Sequence, residues 1–170
     1  MKNLFGNLPG CGAVFEDNYR YDLWRSWSPR KPSILFIMFN PSTADATQLD
    51  RTVTRCFTFA KEWGYGTMHI ANIFAYKSTD PRTLLEISDP VGPKNDEWIR
   101  TLSMKADKIV IAWGAWNWWK KAQGREKQVL EILKQIGQPL FCIGITKTGH
   151  PRHPLYTAGN NKMKEFGVTK

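Results

Sequence analysis

The sequence predicts an α/β fold: a three-layer α/β/α sandwich around a central, mainly four-stranded parallel sheet, with an N-terminal β-hairpin added to it. Three observations predict it. Four apolar runs (Ile34 to Phe39, Met68 to Ala71, Lys108 to Ala112, Leu140 to Ile145) are too continuous for half-exposed strands and fit strands buried on both faces. Segments whose apolar residues recur at helical spacing lie between them. Each run also ends in a short polar or glycine-containing signature. In an open parallel sheet the carboxyl ends of the strands share one edge, where ligands bind.

Each element has its own local reason. Cys11 to Phe15 and Tyr19 to Trp27, broken by the turn-forming Glu16-Asp17-Asn18, read as the hairpin. Ser28 to Pro32 links it to the first buried strand. Asp50 is a good N-cap for a helix whose Val53, Cys56, Phe57 and Ala60 share one buried face, and Gly64 and Gly66 end that helix. After the second strand, Thr79-Asp80-Pro81 starts a short helical turn, since proline suits the first helical position after a capping Asp. Asp89 to Pro93 reads as rigid loop, and Lys94 to about Lys105 as a helix with Trp98, Ile99 and Leu102 inward. A further helix is expected from about Gly124 to Ile136, burying Val129, Ile132, Leu133 and Ile136, and a last short helix from Asn160.

The composition narrows the function classes. At 170 residues the chain is expected to be one domain, 1–170. No apolar stretch approaches the roughly 20 residues that cross a bilayer, so no membrane partner is expected. Met1 to Pro9 lacks the apolar core of a secretory signal. Cys11, Cys56 and Cys142 are far apart, which fits a reducing, cytoplasmic setting better than a disulfide framework. The excess of 24 Lys and Arg over 15 Asp and Glu gives a net charge of +9, which favours a polyanionic partner. Basic and aromatic residues interleave at Tyr19 to Trp27 and at Asn117 to Lys121, which suits the stacking of unpaired bases, although the same tryptophans serve equally well in a core. Nucleic acid, DNA foremost, is therefore the expected partner, and no cofactor and no obligatory protein partner is expected.

The strand ends hold the residues equipped for chemistry. Asn40-Pro41-Ser42-Thr43 combines a fixed backbone, an amide that bonds in both directions, and hydroxyls. Such a loop holds a water or clasps a phosphate, or it is a capped turn. Asp45 and Asp50 are the nearest carboxylates for orienting water; Asp50 already caps a helix, so Asp45 is preferred as the catalytic one. Asn72, at the end of a buried strand, either pairs with backbone or reads a base edge, with Phe74 and Tyr76 beyond it to stack on the base. Trp113-Gly114-Ala115-Trp116 makes a tight turn in which Gly114 lets a ligand or a neighbouring element come close. His150-Pro151-Arg152-His153-Pro154, preceded by Lys147, is the most distinctive piece. His150 suits acid–base work or stabilising a developing oxyanion, His153 suits substrate contact, and Lys147 and Arg152 suit phosphate. Two histidines three apart, without an identified third ligand, are weak evidence for a metal site, and no metal is expected. His69, within a strand, reads as a structural residue.

With these segments assembled, the chain from Cys11 to Leu155 resembles family 1643 of the domains of unknown function, a bacterial and phage group. The matching stretches are Phe39 to Asp45, Asn72 to Ala75, Asp89 to Pro93 with Asn95 and Asp96, Ala112 to Ala115, and Gly149 to Leu155. A more distant likeness is to the uracil-DNA glycosylase superfamily, whose central parallel sheet is flanked by helices. That likeness implies that Asn40-Pro41 corresponds to a Gly-x-Asn-Pro loop whose asparagine positions the attacking water. It implies that Asn72 corresponds to a base-reading asparagine, and His150-Pro151 to a His-Pro-Ser-Pro loop that touches the base carbonyl and DNA. The chain departs from the pattern in lacking the glycine before the first loop, in having Arg152 where the last motif has serine, and in having no iron–sulfur cysteine set.

The resemblance implies a DNA glycosylase-like hydrolase that cleaves the N-glycosidic bond of a flipped, modified or unmodified base. Asn40, Asp45 and His150 are its expected catalytic residues, with Pro41, Ser42, Asn72, Phe74, Trp113, Gly114 and His153 contacting the substrate. Lys147 and Arg152 would hold the nucleic-acid backbone. Two other readings stay open: a transferase or hydrolase of nucleotides or bases on the same scaffold, and a non-catalytic nucleic-acid-binding module.

Overall fold

The computed structural model describes residues 10–167, and within them the apolar runs become the centre of a single sheet. The strands are β1 (Gly10–Glu16), β2 (Tyr19–Ser26), β3 (Ser33–Met38), β4 (Thr67–Asn72), β5 (Lys108–Ile111), β6 (Leu140–Cys142) and β7 (Lys164–Glu165). The helices are α1 (Arg51–Glu62), α2 (Asn95–Lys105) and α3 (Lys120–Ile136), with short 3-10 turns at Pro81–Leu85 and Pro154–Tyr156. Met1 to Pro9, on which the expectation of no secretory signal rests, lie outside the described residues, as do the last three.

The sheet order is β1-β2-β4-β3-β5-β6-β7. The pairs β4–β3, β3–β5 and β5–β6 are parallel, while β1–β2, β2–β4 and β6–β7 are antiparallel. The hairpin is therefore not an appendage: it extends the same sheet, which is a mixed seven-stranded one. The predicted helix after Asn160 is corrected as well. Lys164 and Glu165 instead pair with Cys142 and Phe141, which covers the free edge of β6. The third helix begins at Lys120 rather than Gly124, because Trp119 and Ala122 are already buried and the turn from Trp116 feeds directly into it.

Alternation along β3 divides the core. Ile34, Phe36 and Met38 pack with Val53, Cys56 and Ala60 of α1. Leu35, Ile37 and Phe39 pack with Ile99 and Leu102 of α2 and Val129, Ile132 and Leu133 of α3. The α1 face formed as expected, with Asp50 capping it by accepting a 2.8 Å bond from the Val53 amide. Cys56 and Cys142 are buried and Cys11 is exposed, all three as free thiols.

An irregularity in the hairpin redirects two large side chains. The β1–β2 register pairs Val14 with Asp22 and then Phe15 with Arg20, so Tyr21 is the extra residue of a bulge. A bulge reverses the in–out alternation beyond it. Tyr21 turns to stack on Trp98 of α2, and Arg20 swings to the opposite face, towards the loop after β3.

Gly66 sits where the chain enters β4, and a Cβ added there would lie 1.9 Å from the Ser28 carbonyl oxygen. Gly66→Ala is expected to destabilise the fold by roughly 1–3 kcal/mol through overpacking against backbone that cannot yield. Urea unfolding of the two proteins checks this, and an unchanged midpoint would refute it.

Candidate functional site

At the carboxyl edge of the parallel strands, backbone groups released from the ladder need partners, and side chains supply them. Asn40 follows β3. Its Nδ2 donates to the carbonyls of Pro41 (2.9 Å) and Ser78 (2.8 Å), which fixes the amide and leaves Oδ1 unpaired among the described residues. Asn72 ends β4. Its backbone carbonyl accepts from Asn95 Nδ2, and its side-chain Oδ1 accepts from Arg20 Nη2 at 3.2 Å.

Arg20, brought in by the bulge, is a residue that sequence reasoning missed. Its side chain is buried, with Nη1 donating to the Ala44 carbonyl at 2.9 Å. Among the described residues no carboxylate pairs with it, and its Nε is buried without a partner. Burial pulls its pKa down to about 10, with Asp50 and Asp22 opposing the shift, so it stays charged at neutral pH.

Arg20, Asn40, Ser42, Asp50, Asn72 and His153 line one cleft of about 50 Å³. That is room for a few waters, at roughly 10–15 Å³ or more each. His153 also forms part of a larger pocket of about 370 Å³, shared with Gly114, Trp116, Lys147, Arg152 and Tyr156. His153 thus lines both spaces. His153 Nδ1 accepts the Leu155 amide at 3.3 Å, so the neutral ring carries its proton on Nε2. Burial lowers its pKa from 6.5 to about 4, only partly opposed by Asp50, so at neutral pH it is an uncharged donor.

The expected site residues divide accordingly. Asn40, Ser42, Asn72 and His153 converge on the cleft, and Gly114, Lys147 and Arg152 on the adjoining pocket. Gly114 has φ +83°, its amide bonds the Pro151 carbonyl, and a Cβ there would come within 3.3 Å of the His153 Cβ. Glycine therefore lets the loop after β5 dock on the loop after β6. Pro41 is buried and contributes its backbone carbonyl.

Four residues lie elsewhere. Asp45 accepts from Thr47 and Gln48, which holds its carboxyl below the usual range, and it does not line the cleft; Asp50 is the carboxylate that does. Asp50 spends Oδ1 on its helix cap, so the capping role and the cleft position coexist. His150 turns away to α3, where Nδ1 meets Glu126 Oε2 at 2.9 Å. Phe74 is locked between Phe39 and Trp119, and Trp113 is fully buried, so neither offers a face to a base. Trp116 and Tyr156 instead line the adjoining pocket. His69 pairs with the buried Asp22 on the sheet, as a structural residue would. Among the described residues no cluster of three or more His, Cys, Asp or Glu could hold a metal, and no helix is long and apolar enough to cross a membrane.

The fold and cleft define a mixed α/β protein with a polar site at the carboxyl edge of its parallel strands. Residues 20–155 match the family model described as "Protein of unknown function (DUF1643)", and the chain belongs to that family. No curated protein and no solved structure matches it significantly.

The depressed pKa of His153 makes stability pH-dependent. Between about 4 and 6.5 the unfolded chain binds a proton that the folded chain excludes, so stability falls as pH drops through that window. His153→Asn is expected to flatten this part of the profile. Thermal melts of both proteins across the window test it, and parallel curves would count against a buried neutral imidazole.

Proposed function

We infer that this protein hydrolyses the N-glycosidic bond of a base extruded from nucleic acid. The observation that carries the reading is that Asn40, Asn72 and His153, remote in sequence, line one water-sized cleft. That cleft adjoins a pocket walled by aromatic and basic side chains. Its volume of about 370 Å³ lies within the roughly 300–1,000 Å³ of small-molecule sites. The helices on both sheet faces support a three-layer sandwich of the uracil-DNA glycosylase type, with the hairpin and β7 as additions to its edges.

In this reading the extruded base lies against Trp116 and Tyr156. Asn72, its Oδ1 engaged by Arg20, offers Nδ2 to an acceptor on the base edge. Asn40 Oδ1 accepts from a water and orients it towards the sugar carbon, with Asp50 as the nearby carboxylate that takes up the proton. Bond cleavage puts negative charge on the departing base. The Nε2–H of His153 donates to that charge as a neutral group, and the buried Arg20 cation contributes a fixed positive field. Lys147 and Arg152, on the rim, suit flanking phosphates, which fits the net charge of +9.

The roles expected of Asp45 and His150 thus pass to Asp50 and His153, in each case because the side chain must reach the cleft. Asn40→Ala is expected to lower turnover by at least about a hundredfold while leaving nucleic-acid affinity nearly intact. The assay incubates the protein with oligonucleotides bearing normal, deaminated and hypermodified bases and reads released base and abasic sites. Equal loss of binding and turnover would remove Asn40 from the chemistry. Turnover of free nucleotides with none on polymer would favour a nucleotide-modifying enzyme instead.

A further inference from the structure

The stretch Asn117-Trp118-Trp119-Lys120-Lys121 joins β5 to α3, and its two tryptophans take different places there. Trp119 is buried and stacks on Phe74 at 4.8 Å. Trp118 stays 50% exposed, its indole nearly parallel to Trp119 at 6.1 Å and edge-on to Trp116 at 5.9 Å. An indole half in water gives the fold only part of what its burial offers. A single exposed apolar residue needs no explanation, but Trp118 is not alone. Of the seven large apolar side chains left exposed among the described residues, four (Trp118, Ile145, Leu155 and Tyr156) lie on the segments after β5 and β6. Those segments also wall the pocket beside the cleft.

The same surface is positive. Neither 113–125 nor 144–164 contains an Asp or a Glu. Lys120 and Lys121 are exposed where α3 begins, with no acidic residue in its first turn, and Lys147 and Arg152 are exposed after β6. None of the four joins an ion pair among the described residues. Aromatic rings beside unpaired cations fit a polyanion with accessible bases, since the rings stack on bases and the cations hold phosphates. The ring geometry decides which form of it fits. Trp116 and Trp118 are 5.9 Å apart and turned 79° to each other, whereas neighbouring bases of a duplex are parallel with a rise of about 3.4 Å. Bases resting on both rings are splayed, which a paired strand forbids and a single strand permits.

We propose that Trp118 and the cations near it form a docking surface for single-stranded nucleic acid. The base next to the one in the pocket rests on Trp118, and Lys120 and Lys121 take the phosphates beside it. This rests on the pocket assignment above and adds the form of the substrate, yet its test needs no turnover. Fluorescence anisotropy compares a labelled, undamaged short DNA strand with the same sequence as a duplex. The single strand is expected to bind roughly tenfold or more tightly, and Trp118→Ala to weaken it about fivefold or more while leaving the duplex unchanged. Trp118→Phe, which keeps a ring to stack on, should retain most of the affinity. Lys120→Ala together with Lys121→Ala should weaken binding and flatten its salt dependence. Equal or tighter binding of the duplex would overturn the proposal, and so would single-strand binding indifferent to Trp118→Ala. Sedimentation of the protein alone covers the other occupant: a dimer lost in Trp118→Ala would assign the ring to a second copy of the chain and overturn the proposal too. Single-strand binding of the expected kind, with no base released from any oligonucleotide, would uphold this surface and refute the glycosidic reading instead.

Discussion

The buried guanidinium of Arg20 is the constraint on which the arrangement rests. An unpaired charge out of water is expensive, and the cost is met only by hydrogen bonds of good geometry. Arg20 finds them on two elements other than its own, the β3–α1 loop at Ala44 and the end of β4 at Asn72. It therefore ties together three segments, β2, the β3–α1 loop and the end of β4, and Arg25 of β2 adds a second tie to that loop at the Asp45 carbonyl. It also fixes which atom of the Asn72 amide is spent on structure and which stays free. A cation held this way, with its Nε still unsatisfied, makes the cleft a place that favours electron-rich groups.

A second set of polar contacts does the same for the far side of that strand end. Asn95 of α2 donates to the carbonyls of Asn72 and Ile73, and Arg125 of α3 donates to Ile73 while pairing with Asp96. Helices on one face thus close the backbone that β4 leaves open, and Arg20 holds the Asn72 side chain from the other. Groups at the carboxyl edge are thus engaged from both faces of the sheet, and the Asn40 amide is held there by its bonds to the Pro41 and Ser78 carbonyls.

The loop after β6 shows how much three residues of rigid chain can separate. Pro151 bridges to Ile145 and accepts the Gly114 amide, which pins the middle of the loop. His150 and His153 then project on either side of the pin, one to Glu126 on α3 and one to the cleft beside Asp50. Two similar side chains meet different surroundings. One is held by a carboxylate; the other is desolvated and kept neutral.

Much of this was legible from the chain alone. The apolar runs marked the central strands, helical spacing marked α1 to α3, and the polar signatures marked the edge where Asn40, Ser42, Asn72 and His153 meet. These follow from burial and from the fixed periods of strand and helix, which are local. Three things were not local. Period two places Arg20 with Asp22, and only the Tyr21 bulge, set by how β1 pairs with β2, moves it to the other face. Loop side chains have no period, so the directions of Asp45, Asp50, His150 and His153 were fixed by the neighbours that they found. An aromatic residue at a strand end looks the same in sequence whether it joins the core, as Phe74 and Trp113 do, or lines a pocket, as Trp116 and Tyr156 do. The sequence by itself determined which edge of the sheet carries the polar signatures; the tertiary structure decided which side chains face the cleft there, because direction in loops and across bulges depends on partners far away in the chain.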